Sequence, residues 1–348
     1  MAAEKSEAAN AVSLVQHFFK QDEELSQECQ NLITTLPTES DWFSVQIYQY
    51  QGFWHMKSLI QGILNCQNHF QAHDSDILIV TPLKCGTTWL KALVFSILNR
   101  KNAYNMNPNL DPTRTSIEPH PLLSANPHVL VPNLEFDLYF NTTNPDLSSF
   151  QSPRLLSSHL PYVSLPESVK QSRCKIVYLC RNPKDVFVSL WHFMNRLRPE
   201  VEELNTMEYL FEKFCRGVTF FGPFWDHVLG YYKESLERPE RIMFLKYKEL
   251  KSEPVRVLKD LGKFIGYTFS EKEENNGDVV GDILRLCSFE SLRNLEVNKS
   301  GKLDSGVENK AYFRRGEVGD WKNFFTIDMI KQIEAITEDK FGKHGLKF

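Results

Sequence analysis

The chain has 348 residues, 42% hydrophobic and 24% charged, with a formal net charge of -4. This is the mix of a folded globular protein long enough to bury a large core, and it supplies no overall positive field for nucleic acid. Seven cysteines at irregular spacing, none in a Cys-x-x-Cys pair, exclude a zinc ribbon or a redox dithiol. They read as reduced thiols of a cytoplasmic protein. No stretch reaches membrane-spanning length, and the first ten residues carry acidic groups rather than a secretory leader. Neither a metal, a membrane nor a nucleic acid is expected as a partner.

Taken in order, residues 1–45 read as a polar tail leading into a surface helix, and residues 46–348 as one domain. The aromatic stretch 47–55 predicts a short strand that either lines a pocket or packs as an apolar edge. Residues 56–70 have helical spacing. Residues 76–81 are a branched apolar run, and a mostly apolar segment follows from 90 to 98. Between them stand Lys84, Cys85, Gly86, Thr87, Thr88 and Trp89. A buried strand, a tight loop and a buried helix are predicted. A loop that opens a helix offers free backbone N–H groups and the positive end of the helix dipole, which suits phosphate-like anions. Gly86 permits close approach, Thr87 and Thr88 add hydroxyl donors, Lys84 adds charge, and Trp89 offers a face to a base. The alternative is an ordinary strand–helix turn with a capping threonine.

Residues 101–149 are rich in Pro and Asn, which predicts a long functional or mobile loop. Residues 155–161 predict a strand, 165–170 a short helix, and 174–180 the clearest buried strand. Arg181 follows, then Asn182 as N-cap, Pro183 as first helical residue and Asp185 in the first turn. That helix runs at least to Trp191. Further helix is expected over 196–240, interrupted by the aromatic run from Phe220 to Trp225. Residues 241–247 predict another strand, 255–265 a helix, and 271–276 a solvated charge run. Residues 312–321 form a basic, glycine-bearing loop before a final helix. Strands alternating with helices predict an α/β fold: a single central parallel sheet flanked by helices, with ligands at the carboxyl ends of the strands.

Three signals occur in order: the segment from Lys84 to Trp89, Arg181 with Ser189, and Phe313, Arg314, Arg315 and Gly316 followed by Gly319, Asp320, Trp321 and Lys322. Together they resemble the soluble sulfotransferases that use 3′-phosphoadenosine 5′-phosphosulfate (PAPS). The likeness extends from about Gly52 to Lys322 and beyond, and residues 215–226 look like the plant branch. The resemblance implies a P-loop-like phosphosulfate loop from Lys84 through Cys85, Gly86, Thr87 and Thr88 to Trp89. In it Lys84 meets the bridging oxygen and Trp89 stacks on adenine. It implies that Arg181, Ser189, Arg314, Arg315 and Gly316 hold the 3′-phosphate, that Tyr247 and Phe289 neighbour the adenine, and that His159 is the catalytic base.

This sequence departs from the family pattern at several positions. Pro82 and Leu83 stand where Tyr-Pro is usual, Arg315 where lysine is usual, and Cys287 where animal members commonly have threonine. Ser157 stands where animal members often have a lysine. Lys322 and Thr326 fit the animal dimer motif but Ile327 and Lys331 do not, so a monomer is expected. The chemistry stands apart from the resemblance: an ammonium at Lys84 can stabilise charge on a leaving phosphate oxygen, and a neutral histidine can take the proton of a hydroxyl. The expected reaction is PAPS-dependent sulfation of a small, largely apolar hydroxyl acceptor, such as a flavonoid, a brassinosteroid-like steroid or a hydroxylated hormone. Phe53, Trp54, Phe193 and the run from Phe220 to Trp225 are candidates to line its pocket. The alternatives are a P-loop-type nucleotide kinase, which the missing Gly-x-x-x-x-Gly-Lys-Ser/Thr disfavours, and a binding protein without catalysis.

Overall fold

A small antiparallel sheet leads into the domain. Its strands are β1 (Thr38–Ser40), β2 (Gln46–Tyr50) and β3 (Phe53–His55). The computed structural model describes residues 25–40, 45–100, 119–197, 206–275 and 278–348. Residues 1–24 and 41–44 of the tail expected over 1–45, 101–118 of the loop expected over 101–149, 198–205 of the helix expected over 196–240, and Asn276 lie outside the described residues. The aromatic stretch 47–55 is a hairpin rather than one strand. Gln51 and Gly52 both have positive φ (52° and 87°), the conformation that a two-residue hairpin loop requires. Gln-Gly is a weaker turn signal than Asn-Gly, which is why the alternation alone did not reveal it. Before β1, the helix Gln27–Ile33 places Cys29 against Ile60 and Leu64 of the helix Lys57–His69.

The central sheet contains β4 (Ile77–Val80), β5 (Leu155–Ser158), β6 (Lys175–Cys180) and β7 (Ile242–Lys246), in the order β5-β4-β6-β7. Every pairing is parallel. Successive side chains point to opposite faces of a strand, and the core divides accordingly. Leu78, Val80, Leu156, Ile176 and Tyr178 belong to one apolar cluster, and Ile77, Ile79, Leu155, Val177 and Leu179 to another. The first is completed by the helices Lys57–His69, Pro183–Leu197, Phe224–Glu237 and Ile327–Phe341, the second by Thr87–Asn99, Pro254–Phe264 and Val279–Leu286. A sheet covered on both faces explains why these strands read as continuous apolar runs.

A break over 216–223 separates the helices Met207–Cys215 and Phe224–Glu237, so the expected interruption falls at 220–223, while Phe224 and Trp225 open the second helix. The segment 271–275 is less solvated than its composition implies. It forms a short helix in which Glu273 accepts from Arg100 at 2.9 Å and Glu274 pairs with Lys259 at 3.0 Å. Among the described residues no helix is long and apolar enough to cross a membrane.

The amino ends of β4 and β5 are joined by a buried forked ion pair. Arg154 Nε donates to Asp76 Oδ1 at 2.8 Å and Nη2 to Oδ2 at 2.5 Å, while Nη2 also reaches the Gln71 carbonyl at 2.9 Å. Removing the guanidinium strands a buried carboxylate, a loss of about 3–5 kcal/mol. Arg154→Ala is therefore expected to lower the chemical denaturation midpoint strongly. An unchanged midpoint would show that the pair contributes little.

Candidate active site

All the loops expected to carry chemistry open at the carboxyl edge of the parallel sheet. They surround one cavity of about 690 Å³. Lys84, Gly86, Thr87, Thr88, Trp89, His159, Arg181, Ser189, Tyr247, Phe289, Arg314, Arg315 and Gly316 all line it. Cys85 does not. Its side chain is fully buried in the apolar core, and burial pushes its thiol up to about 12. Cys287 is also buried, with its sulfur 3.3 Å from Ser96 Oγ, and does not line the cavity.

The loop after β4 is built to bring backbone close to a ligand. Gly86 has φ 104°, and a Cβ there would stand 2.9 Å from the Tyr247 ring. Lys84 also takes a left-handed conformation, φ 64°, which is uncommon outside glycine. Its ammonium lies 3.7 Å from the Phe193 ring centroid and 5.8 Å from that of Tyr312. Burial, then the charges of Arg181, Arg314 and Arg196, lower the Lys84 pKa to about 7. Trp89 meets Tyr247 edge-on at 5.5 Å, so both rings stand at the same end of the cavity. Gly316 (φ 66°) closes that end: a Cβ there would stand 2.6 Å from the Phe289 ring, and Tyr247 OH donates to the Gly316 carbonyl at 3.0 Å.

The arginines converge from two elements. Arg181 follows β6 directly, and Asn182 caps the next helix by accepting from the Lys184 N–H at 3.0 Å. The Arg181 guanidinium lies 4.7 Å from the Tyr247 ring centroid, and Nη2 donates to the Glu317 carbonyl. Asp185 does not serve its own helix end. It accepts from the Gly319 N–H at 2.9 Å and the Trp321 N–H at 3.3 Å, tying the late loop to the helix Pro183–Leu197. Asp320 is buried and holds both late arginines, Arg314 through Oδ2 and Arg315 through Oδ1. The Nε atoms of Arg181 and Arg314 are buried without a hydrogen-bond partner. Donors left in this state beside a lysine suit a polyanion.

His159 lies at the other side. Its Nδ1 is 2.7 Å from the Thr81 carbonyl oxygen, an atom that can only accept. The ring proton therefore sits on Nδ1, and Nε2 keeps a free lone pair. Burial, with the charges of Lys91, His227 and Lys84, lowers the His159 pKa to about 3, against the Thr81 contact that raises it. The imidazole is therefore neutral at neutral pH. Its backbone is fixed from both directions. Glu135 accepts the His159 N–H at 2.6 Å and the Ser158 O–H at 2.9 Å, and the His159 carbonyl accepts from His227 Nε2 at 2.9 Å. Tyr178 OH completes the chain at 3.0 Å from His227 Nδ1.

Of the aromatics expected to line an acceptor pocket, Phe193 does so. Phe53, Trp54 and the run from Phe220 to Trp225 are absent from the cavity wall and pack in or against the core. Phe221 acts from behind, with its ring 5.7 Å from that of His159 and 5.2 Å from that of His55. The wall contains residues that sequence reasoning missed: Lys91, His128, Asn133, Phe136, Asp137, Asn141, His192, Arg196 and Tyr312. Two signals were present. Lys91 follows Thr87 by four residues, hence on the same helix face. Asn126 and Pro127 form a cap and first helical position, which the structure realises in the short helix Pro127–Leu130.

The sulfotransferase domain family matches residues 74–345 of this chain. Cytosolic sulfotransferase 12 of Arabidopsis thaliana is 49% identical over 327 residues, covering 94% of this chain and 96% of the relative. Cytosolic sulfotransferase 5 of the same plant is 47% identical, covering 94% and 98%. Among solved structures, an Arabidopsis thaliana putative steroid sulphotransferase superposes with a TM-score of 0.73 at 42% identity, covering 95% of this chain and 98% of that one. A mouse sulfotransferase complexed with PAP shares the fold, with a TM-score of 0.64 at 24% identity over 85% of this chain and 94% of that one. The extent of these matches, on a fold and cavity of the expected kind, is decisive: the chain belongs to the sulfotransferase family, in its plant branch.

Proposed function

We propose that this chain transfers the sulfuryl group of PAPS to the hydroxyl of a small, largely apolar acceptor, with His159 as general base. The observation that carries the reading is the convergence of Lys84, Arg181 and Arg314 on one cavity whose wall also includes His159. PAPS dependence follows from the family. Arg181, Ser189, Arg314, Arg315 and Gly316 hold the 3′-phosphate, and Trp89, Tyr247 and Phe289 the adenine. The loop through Lys84, Gly86, Thr87 and Thr88 holds the phosphosulfate.

The acceptor oxygen attacks sulfur, its proton passes to His159 Nε2, and the bond between sulfur and the bridging oxygen breaks. The products are the sulfate ester, 3′-phosphoadenosine 5′-phosphate (PAP) and a proton. Lys84 stabilises the charge that develops on the leaving oxygen. Burial and the nearby charges of Lys91, His227 and Lys84 set the low basicity of His159, and a polyanion beside Lys84 and Lys91 raises it by favouring the imidazolium. Phe136, Phe193 and Leu197 supply apolar wall for the acceptor, and a flavonoid, a brassinosteroid-like steroid or a hydroxylated hormone has the matching chemistry. The cytosolic names of the relatives support a cytoplasmic location. Lys331, standing where the dimer motif has glutamate, supports a monomer.

With labelled PAPS and a panel of such acceptors, a sulfated product is expected, undiminished by EDTA. His159→Ala is expected to lower kcat about 10²–10⁴-fold while PAP still binds. Loss of activity on chelation would favour phosphotransfer, undiminished turnover in His159→Ala would remove the histidine from the mechanism, and PAP binding without turnover of any acceptor would leave a non-catalytic binder.

A second expectation concerns protons. Burial and the neighbouring arginines hold the Lys84 pKa at about 7, against an ordinary 10.5. A polyanion returns it toward the ordinary value, so binding takes up a proton between these limits. PAP affinity therefore falls as pH rises through that window. Calorimetry at pH 8 in two buffers of different ionisation enthalpy measures the uptake, and Lys84→Met should reduce it to what Lys91 and His159 contribute. Zero uptake in the unaltered chain would contradict the assignment of Lys84.

A further inference from the structure

The cavity wall holds a row of three polar side chains of which only the last belongs to the expected anion loop. Lys91 is 1% exposed, and its Nζ lies 3.2 Å from His128 Nδ1. His128 Nε2 lies 2.9 Å from Thr88 Oγ1. The imidazole is held in place by its surroundings. It stacks on the Tyr312 ring at 4.3 Å with 29° between the planes, and the backbone N–H of His128 donates to Asn126 Oδ1 at 2.9 Å. Asn126 in turn donates to Asn298 Oδ1 at 2.8 Å.

Hydrogen-bond chemistry fixes the direction of this row. An ammonium has donors only, so His128 Nδ1 must accept from Lys91. The ring proton is then on Nε2, which donates to Thr88 Oγ1. The threonine's own hydrogen is left free, and Thr88 lines the cavity. In the opposite tautomer His128 would accept from Thr88 and withdraw that hydrogen from any ligand. We propose that Lys91 and His128 are positioning residues that hold the Thr88 hydroxyl as a donor toward the anion bound at the loop from Lys84 to Trp89. This rests on the PAPS reading of that loop. Burial lowers the Lys91 pKa to about 8, with Asp137 and Glu135 opposing the fall, so the ammonium form prevails at neutral pH. The inference adds a layer behind the anion loop, contributed by the segment between β4 and β5.

Two readouts test it. ¹⁵N-histidine NMR of the ligand-free chain should show His128 with its proton on Nε2, and the Nδ1–H tautomer would overturn the proposal whether or not PAP binds. Calorimetry with PAP then tests the consequence. His128→Phe keeps a flat ring against Tyr312 and removes both hydrogen bonds, and it should weaken binding about tenfold or more. His128→Gln retains an acceptor oxygen and a donor nitrogen and should recover most of that loss. In a double-mutant cycle, adding His128→Phe to Thr88→Val should cost little further, because both act through one hydroxyl. Unchanged affinity in His128→Phe, or losses that simply multiply, would overturn the relay. Should His128→Phe fail to fold, Lys91→Met replaces it in the same cycle, where non-additivity with Thr88→Val supports the relay and additivity overturns it. A wild-type chain that binds no PAP would instead sink the reading on which the proposal rests.

Discussion

Three cations brought together in one cavity define this protein. Lys84, Arg181 and Arg314 arrive from the loop after β4, the end of β6 and the late loop, and burial together with the neighbouring arginines lowers the pKa of Lys84. Such a cluster is costly to assemble, because burial and like charge both oppose it. The fold holds it by ordinary means. Asp320 grips both late arginines, and Asp185 anchors their loop to the helix that follows Arg181. A ligand with several negative charges relieves what the protein alone leaves uncompensated.

The remainder of the site has the same logic of fixed donors and acceptors. Thr81 determines which nitrogen of His159 is free, Glu135 and His227 determine where the ring stands, and Phe221 closes off its back. These contacts leave little to reorganise when substrate binds, which is how positioned groups lower a barrier. Glu135 is itself buried, and its pKa is pushed up to about 7 despite the hydrogen bonds it accepts from His159 and Ser158. The protein thus tolerates an uncomfortable carboxylate to fix the loop that carries the base.

Much of this was legible in the residues. Branched apolar runs at 76–81, 174–180 and 241–247 mark buried parallel strands because both faces of the sheet are covered. Asn182 and Pro183 mark a helix start because their chemistry satisfies one. The positions of Lys84, Arg181 and His159 just after strands place them on one edge once the sheet is parallel, and Arg314 reaches that edge from the late loop. What stayed hidden depends on tertiary placement. Cys85 sits within the anion loop yet faces the core, since alternate positions of a tight loop point opposite ways. The aromatic run from Phe220 to Trp225 looks like a pocket wall but packs beneath one, as burial of large apolar area favours. Lys91 and His128 meet across 37 residues, a contact no local pattern encodes.

The account's central claim is that the converging cations form a single polyanion site. A crystal structure of the chain with PAP tests it most directly. The account predicts the 3′-phosphate in contact with Arg181, Ser189 and Arg314, the 5′-phosphate on the loop from Lys84 to Thr88, and adenine against Trp89. PAP bound elsewhere, or bound without contact to Arg181 and Arg314, would contradict it.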